Sequence, residues 1–216
     1  MQHVGWSHQA KTPGRVTVYP DGCRDVIVVE APGEAPHLLF SDWDDRPRVV
    51  DVVAGVRMTG FRLRPGLTLS PDALAELAGE EAHTAAFLGD RLNPADEMAE
   101  IVDLLAGSAL PLIRIARRAG VSPRTLQRRF HEKRLPVPDF WRRLGRARRA
   151  AAALSDDMPL AAIAASLGYS DQAHMTRDCL RWFGQSPARL RRDEAARAIL
   201  AQPGLGNWAG VQISMR

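Results

Sequence analysis

Two hydrophobic periods divide the chain. Between Arg15 and Arg64 the apolar residues alternate or gather in short β-branched runs: RVTVY (15–19), DVIVVE (25–30), HLLF (37–40), VVDVV (49–53) and VRMTGFRLR (56–64). A period of two turns one face of a strand inward, and Pro, Gly and Asp separate the runs. Pro20-Asp21-Gly22 and Pro32-Gly33 supply explicit turn chemistry. These segments predict a small, mostly antiparallel sheet. Near Ser70 the spacing becomes helical. Ser70-Pro71 offers an N-cap and a proline at the first helical position. Further helices are predicted at 81–88 and from Pro94 to about Leu105, the latter opening with acidic residues that suit its dipole.

After Pro111 the pattern is helical throughout, with segments at 111–118, 122–133, 137–154, 159–166, 171–183 and 187–200. Gly145 interrupts the third of these at a cost of about 1 kcal/mol against Ala. Its neighbours are strong helix formers, so one continuous helix is expected. The end, QPGLGNWAGVQISMR (202–216), is Gly-rich and then alternating. That pattern fits either a loose end or a strand added to the N-terminal sheet. The fold class is therefore α+β: a small β domain over 1–95, an all-α domain over 96–193 and a tail over 194–216. The boundary falls somewhere in 89–110.

The helical half contains a degenerate repeat. Residues 115–122 read IARRAGVS, and residues 163–170, 48 positions later, read IAASLGYS. Each copy leads into an Arg-bearing amphipathic segment, SPRTLQRRF (122–130) and SDQAHMTRDCL (170–180). Ala allows two helices to approach, Gly accepts a positive φ in the turn, and Ser caps the next helix. Each copy thus predicts a helix-turn-helix.

Charge sharpens this picture. Residues 1–100 hold nine Arg/Lys against sixteen Asp/Glu, a balance of −7; residues 101–216 hold twenty against nine, a balance of +11. Such a split points to two functions, with the basic half facing a polyanion. Of the 29 basic residues, 27 are Arg.

In a helix-turn-helix the second helix enters the DNA major groove. In the first copy Val121, Leu126 and Phe130 should face inward, which leaves Arg124, Thr125, Gln127 and Arg128 outward. Arg matches the acceptor pair of guanine and Gln can bridge the edge of adenine. In the second copy, one residue longer, Met175 and Cys179 replace Leu126 and Phe130. Gln172, Thr176 and Arg177 then face out, while His174 lies between the faces and reads as a solvated residue or a phosphate contact. The helix at 137–154 would hold the two reading helices about one DNA turn apart, roughly 34 Å. Arg142, Arg146 and Arg149 on it could line phosphates or make internal ion pairs.

These motifs, together with RLGRARRAAAALS (143–155) and FGQSPARLRR (183–192), resemble the DNA-binding domain of the AraC/XylS transcription regulators over residues 111–192. The resemblance implies two helix-turn-helix units on one chain and double-stranded DNA as partner. It places base-reading roles at Arg124, Gln127, Arg128, Gln172, Thr176 and Arg177. Met175 and Cys179 stand where the family usually has aromatics, so thinner packing and a weaker grip are expected of the second unit. PDGCRDVIVVE (20–30) and GFRLRPG (60–66) resemble a small β-rich domain that precedes some AraC-type domains. That resemblance implies no ligand. The segment is shorter than a cupin-type sugar sensor, so no sugar pocket is carried over.

The acidic N-terminal domain is expected to sense a small-molecule effector, to form a homodimer or to contact RNA polymerase. A rival reading makes Cys23 a reactive thiol, since Arg24 beside it could lower its pKa; its alternative is a small buried residue at a strand start. Another rival is an N-terminal module that pairs with another protein. The two cysteines form no disulfide framework, and Asp21, Asp25 and the six His show no metal-site spacing. Trp6, Trp43 and Trp208 read as core or edge packing. No catalytic motif stands out, so an enzyme, a cofactor and a metal are not expected. No run approaches membrane-spanning length and the N-terminus lacks an apolar leader, so a cytoplasmic location is expected.

Overall fold

The computed structural model describes residues 1–77, 83–92, 96–108, 110–155, 157–208 and 213–214. Its N-terminal part holds six strands: β1 (His3–Gln9), β2 (Gly14–Val18), β3 (Asp25–Glu30), β4 (His37–Phe40), β5 (Arg48–Val52) and β6 (Arg57–Leu63). The predicted single sheet is in fact two. Strands β4, β3, β6 and β1 form the main sheet with antiparallel pairing, while β2 and β5 form a separate antiparallel ribbon. Strand β1 lies outside the run that alternation singled out. In HVGWSHQ only Val4 and Trp6 are large and apolar, too short a pattern to stand out, yet both are buried. Trp6 pairs with Gly60 across β1 and β6, and a Cβ on Gly60 would run into the indole ring. Gly60 is thus the flat seat of Trp6.

Helices α1 (Pro71–Leu77) and α2 (Thr84–Arg91) cover this sheet. Leu77 and Leu88 pack with Val26, Leu63 and Leu67 into one core cluster. Ser70 accepts from the Ala73 N–H at 3.1 Å, as an N-cap ahead of Pro71 should. The predicted helix 81–88 sits further along the chain; residues 81–82 lie outside those described. Helix α3 (Glu97–Gly107) starts after Asp96, whose carboxylate accepts from Met98 N and Ala99 N. The expected start at Pro94 also lies outside the described residues.

Six helices follow in good agreement with the periodicity, with one break. They are α4 (Leu112–Arg118), α5 (Pro123–Glu132), α6 (Pro138–Ala153), α7 (Leu160–Ser166), α8 (Gln172–Phe183) and α9 (Pro187–Arg192). The segment 187–200, expected as one helix, divides at Asp193. Its carboxylate accepts from Ala196 N at 2.9 Å and starts a new helix, α10 (Glu194–Leu200). A capping acid is read as an ordinary charged residue in a periodic pattern, so the break was not legible.

Helix α6 runs unbroken through Gly145, as expected. A Cβ there would lie 2.6 Å from the Ala106 Cα on α3, so the glycine permits a close helix crossing. The second core gathers Ile115, Leu126, Phe130, Trp141, Leu144, Ile163, Met175 and Trp182 around α6. Helix α3 faces both cores: Ala99 joins the sheet cluster, and Ile101, Val102 and Leu105 join the helical one.

Residues 201–207 are tied down. The 201–207 segment crosses between the two halves, and a short strand β7 (Ile213–Ser214) adds to β1 in parallel. Of the two readings of this end, the added strand is the one observed. Arg148 holds the strap from α6. Its Nε donates to Leu205 O, and its Nη2 lies 3.1 Å from Leu200 O and Gln202 O and 2.9 Å from Asn207 Oδ1. On the other side Leu205 N donates to Asp21 O at 2.7 Å and Arg62 Nη1 to Pro203 O at 3.1 Å.

The same junction explains the PDGCRD and GFRLR motifs. Asp25 and Arg62 stand opposite each other in the β3–β6 ladder, and the Arg62 guanidinium spans Asp25 at 3.2 Å and Asp21 at 3.0 Å. Trp6 Nε1 also donates to Asp25, at 2.8 Å. Burial works against the Arg62 charge, but the two carboxylates outweigh it and raise its pKa. Trp43 meets Trp141 edge-on at 5.1 Å, and Trp208 donates to Met1 O. The three tryptophans singled out in the sequence are thus all in packing or edge roles.

Candidate nucleic-acid interface

The two turns of the repeat are the same structure. Helix α4 buries Ile115 and Ala116, and Gly120 follows at φ 65°. Gly120 N donates to Arg117 O at 3.1 Å and Val121 N to Ala116 O at 3.0 Å. Helix α7 buries Ile163 and Ala164, and Gly168 follows at φ 74°. There Gly168 N donates to Ala165 O at 3.2 Å and Tyr169 N to Ala164 O at 3.0 Å. Both are Schellman-type helix ends, in which glycine takes the left-handed conformation that a side chain would resist.

The caps differ. Ser122 caps α5 by accepting from Thr125 N at 3.1 Å. In the second unit the cap moves one residue on, to Asp171, which accepts from His174 N at 2.6 Å. Ser170 instead meets His174 Nδ1 at 3.2 Å. This is the extra residue that shifts the register of the second copy, and it corrects the expectation of a serine cap in both.

On α5, Leu126 and Phe130 are fully buried, while Arg124, Gln127 and Arg128 are exposed. Thr125 is half-buried, with its hydroxyl 2.9 Å from that of Ser122. Arg128 leans on Glu132 at 3.4 Å, an exposed i,i+4 pair that leaves its other donors free to turn outward. On α8, Gln172 and Arg177 are exposed, and half-buried Thr176 donates its hydroxyl to Gln172 O at 2.9 Å. Its hydroxyl proton is therefore committed to the helix, and its methyl and acceptor lone pairs remain. All seven residues proposed from sequence lie on the two second helices, clear of the cores.

The thinner packing expected of the second unit is not observed. Met175 and Cys179 are fully buried, and Tyr169, Trp182 and Phe183 close the cluster around them. The aromatic volume has moved one turn along α8 and into the preceding loop.

His174 is half-buried, with Ser170 at its Nδ1 and Arg146 at its Nε2. Its ring stands edge-on to Tyr169 at 5.1 Å and its Nε2 lies 3.4 Å from Arg146. Arg146 also bonds Asp178 at 3.0 Å and lies 4.3 Å from the Tyr169 ring centroid. Of the two readings left open for Arg146, the internal ion pair is the one found. It joins α6 to α8. A comparable tie, Arg129 to Glu97 at 2.8 Å, joins α5 to α3. Neither was legible, because each partner is 32 residues away.

Cys23 is buried, and its pKa is raised well above the ordinary thiol range by burial and then by Asp21. Arg24 does not approach it; its guanidinium lies 3.7 Å from the Phe40 ring centroid, and its Nε donates to Ser41 O. A reactive thiol activated by Arg24 is therefore not what the fold provides. Among the described residues no group of three His, Cys, Asp or Glu could hold a metal, and no helix is long and apolar enough to cross a membrane.

The geometry defines the class: a domain of two helix-turn-helix units joined by one long helix, as in DNA-binding regulators. A family model described as a helix-turn-helix domain matches residues 115–193. VirS, an HTH-type transcriptional regulator of Mycobacterium tuberculosis in strains CDC 1551 / Oshkosh and H37Rv, is 40% identical over 77 residues, which are 36% of this chain and 23% of VirS. The chain thus spans about a quarter of the length of that relative. A transcriptional regulator of Chromobacterium violaceum with an AraC-type DNA-binding domain is 28% identical, covering 49% of this chain and 92% of that one at a TM-score of 0.39. ToxT of Vibrio cholerae is 7% identical, with 88% and 97% covered and a TM-score of 0.45. Residues 115–193 are thus similar to a helix-turn-helix domain, and the 77 residues shared with VirS are similar to part of a transcriptional regulator.

Proposed function

We propose that the whole chain is a sequence-specific transcription regulator whose two reading helices enter successive major grooves on one face of DNA. The observation that carries this is the repeated turn: two hydrogen-bonded glycine turns, 48 residues apart, each aim a second helix whose Arg and Gln side chains are exposed. In this reading Arg124, Thr125, Gln127 and Arg128 contact one half of the site and Gln172, Thr176 and Arg177 the other. Arg and Gln supply bidentate contacts to guanine and adenine, and the threonines offer methyl and acceptor contacts. Residues 1–95 form the controlling part, 96–193 the reading part and 194–216 the tail. Control passes through the N-terminal part by a small-molecule effector, self-association or contact with RNA polymerase. Such a role fits a cytoplasmic protein.

The test is a set of duplexes selected from random sequence, followed by titration at several salt concentrations. Affinity should fall steeply with salt, because phosphate contacts release counterions. Arg128→Ala and Arg177→Ala should each remove about 1–3 kcal/mol of discrimination at one base pair, in different halves of the selected site. Equal losses on selected and random duplexes would reduce these side chains to phosphate contacts and refute their reading role.

A further inference from the structure

The N-caps set α5 and α8 in register with each other. Ser122 and Asp171 each accept from the backbone N–H three residues on, so a position on α5 matches the one 49 residues later on α8. The buried residues agree with that offset, Leu126 with Met175 and Phe130 with Cys179. On the outer side it sets Arg124 against Ala173, Gln127 against Thr176, Arg128 against Arg177 and His131 against Leu180. Thr176 is half-buried and the other seven are exposed. Residues at i, i+3, i+4 and i+7 share one face of a helix, so each set of four is a continuous stripe.

The two stripes differ in kind. On α5 every one of the four side chains carries a nitrogen donor. On α8 only Arg177 does. Ala173 ends in a methyl group, and Thr176 spends its hydroxyl proton on Gln172 O at 2.9 Å. Leu180 leaves 50% of its surface exposed. The inner face of α8 is already complete, with Met175, Cys179, Trp182 and Phe183 buried, so Leu180 is not a piece of the core. In the DNA major groove guanine and adenine present acceptors to such donors, while the thymine C5-methyl is the apolar group on a base edge. Ala173 to Leu180 covers about 10 Å of helix, the length of roughly three base-pair steps.

We propose that Ala173, Thr176 and Leu180 read thymine methyl groups, so that the α8 half-site is set by thymines and the α5 half-site by purine acceptors. This rests on the DNA-binding reading above and adds the base class to it. His131 joins Arg124, Gln127 and Arg128 on the first half-site. Only the position shared by Arg128 and Arg177 has the same chemistry in both units, and it calls for a guanine in each half. The two halves of the site are therefore unlike, and a tandem copy of either one is a poorer ligand than the mixed site.

The test uses the full chain and a duplex selected from random sequence. The half bound by α8 is the one whose discrimination Arg177→Ala removes. Replacing its thymines by deoxyuridine takes away the C5-methyl and keeps the base pairing. Affinity should fall about fourfold per contacted methyl, the worth of one buried carbon, and by under about twofold when the α5 half is treated alike. Thr176→Ser keeps the bond to Gln172 O and loses only the methyl, so it should abolish the deoxyuridine effect at one position. Leu180→Ala should abolish it at another. Both changes leave the buried face of α8 intact, so the variants fold. A selected α8 half-site without thymine, or equal deoxyuridine losses in both halves, overturns the proposal. Losses that persist unchanged in both variants overturn it too, and leave Leu180 as a contact for a protein partner. A selected duplex indifferent to deoxyuridine refutes the thymine reading alone, whereas no preferred duplex at all refutes DNA reading and this inference with it.

Discussion

Single residues here draw their roles from what surrounds them, and the two cysteines show it most plainly. Cys179 sits at the centre of the second unit, where burial, and after it Asp178, pushes its pKa up to about 12. Cys23 is raised in the same direction by burial and Asp21. Only the thiolate reacts, so native alkylation by iodoacetamide at pH 8 should run orders of magnitude slower at Cys179 than in denatured chain. Cys23 should be slow as well. Rapid modification of Cys23 in the native protein, followed by mass spectrometry, would restore the thiol-sensor reading. The unfolded chain ionises its thiols first, so the contribution of Cys179 to stability is intact below the ordinary thiol range and is lost as pH rises from there toward about 12. The outward assignment of Arg124, Gln127, Arg128, Gln172 and Arg177 was legible from spacing alone, since four-residue periodicity separates faces without any tertiary information. The assignment of His174 was not, because Tyr169 and Arg146 converge on it from different elements.

At the scale of elements, helix periodicity located α4 to α8 and the start of α9 to within a residue or two, because their buried stripes recur at regular intervals. Short pieces escaped it. Strand β1 buries too few large side chains to make a pattern, and α10 is separated from α9 only by a capping carboxylate. Gly145 gives the clearest case of an element-level prediction that local rules would reverse. Helix propensity favours Ala there by about 1 kcal/mol. The crossing of α3 over α6 forbids it, since the new methyl would meet backbone and side chain of Ala106 at 2.6–2.7 Å. G145A should therefore destabilise the protein by about 1–3 kcal/mol net, the usual cost of overpacking. Chemical denaturation measures it, and a stabilised variant would show that α3 can move away from α6 without penalty.

For the whole molecule, the deciding feature is the junction built from Asp21, Asp25, Arg62, Arg148 and the strap. Arg148 offers its donors to three backbone carbonyls and Asn207, and of these Gln202 O also accepts from Asn207 Nδ2 at 3.1 Å. R148M keeps much of the volume but takes the charged donor from Leu205 O, Leu200 O and Asn207 Oδ1. A loss on the order of 3 kcal/mol is expected, from the cost of breaking charged hydrogen bonds in a buried place. The loss should also uncouple the halves, so that thermal unfolding followed by tryptophan fluorescence separates into two transitions. A single transition at the original midpoint would mean that the α3 contacts alone hold the halves together.

The chain's periodicity, its 48-residue repeat and its charge split determined the class of fold, the two turns and the outward faces of α5 and α8. Those depend on neighbours within a few residues, and local spacing encodes them directly. The tertiary structure alone decided the pairing of β1 and β7, the tie of Arg146 to Asp178 and the burial of Cys23. Each joins groups distant along the chain, and burial, charge pairing and hydrogen bonding act on distance in space, which no periodicity records.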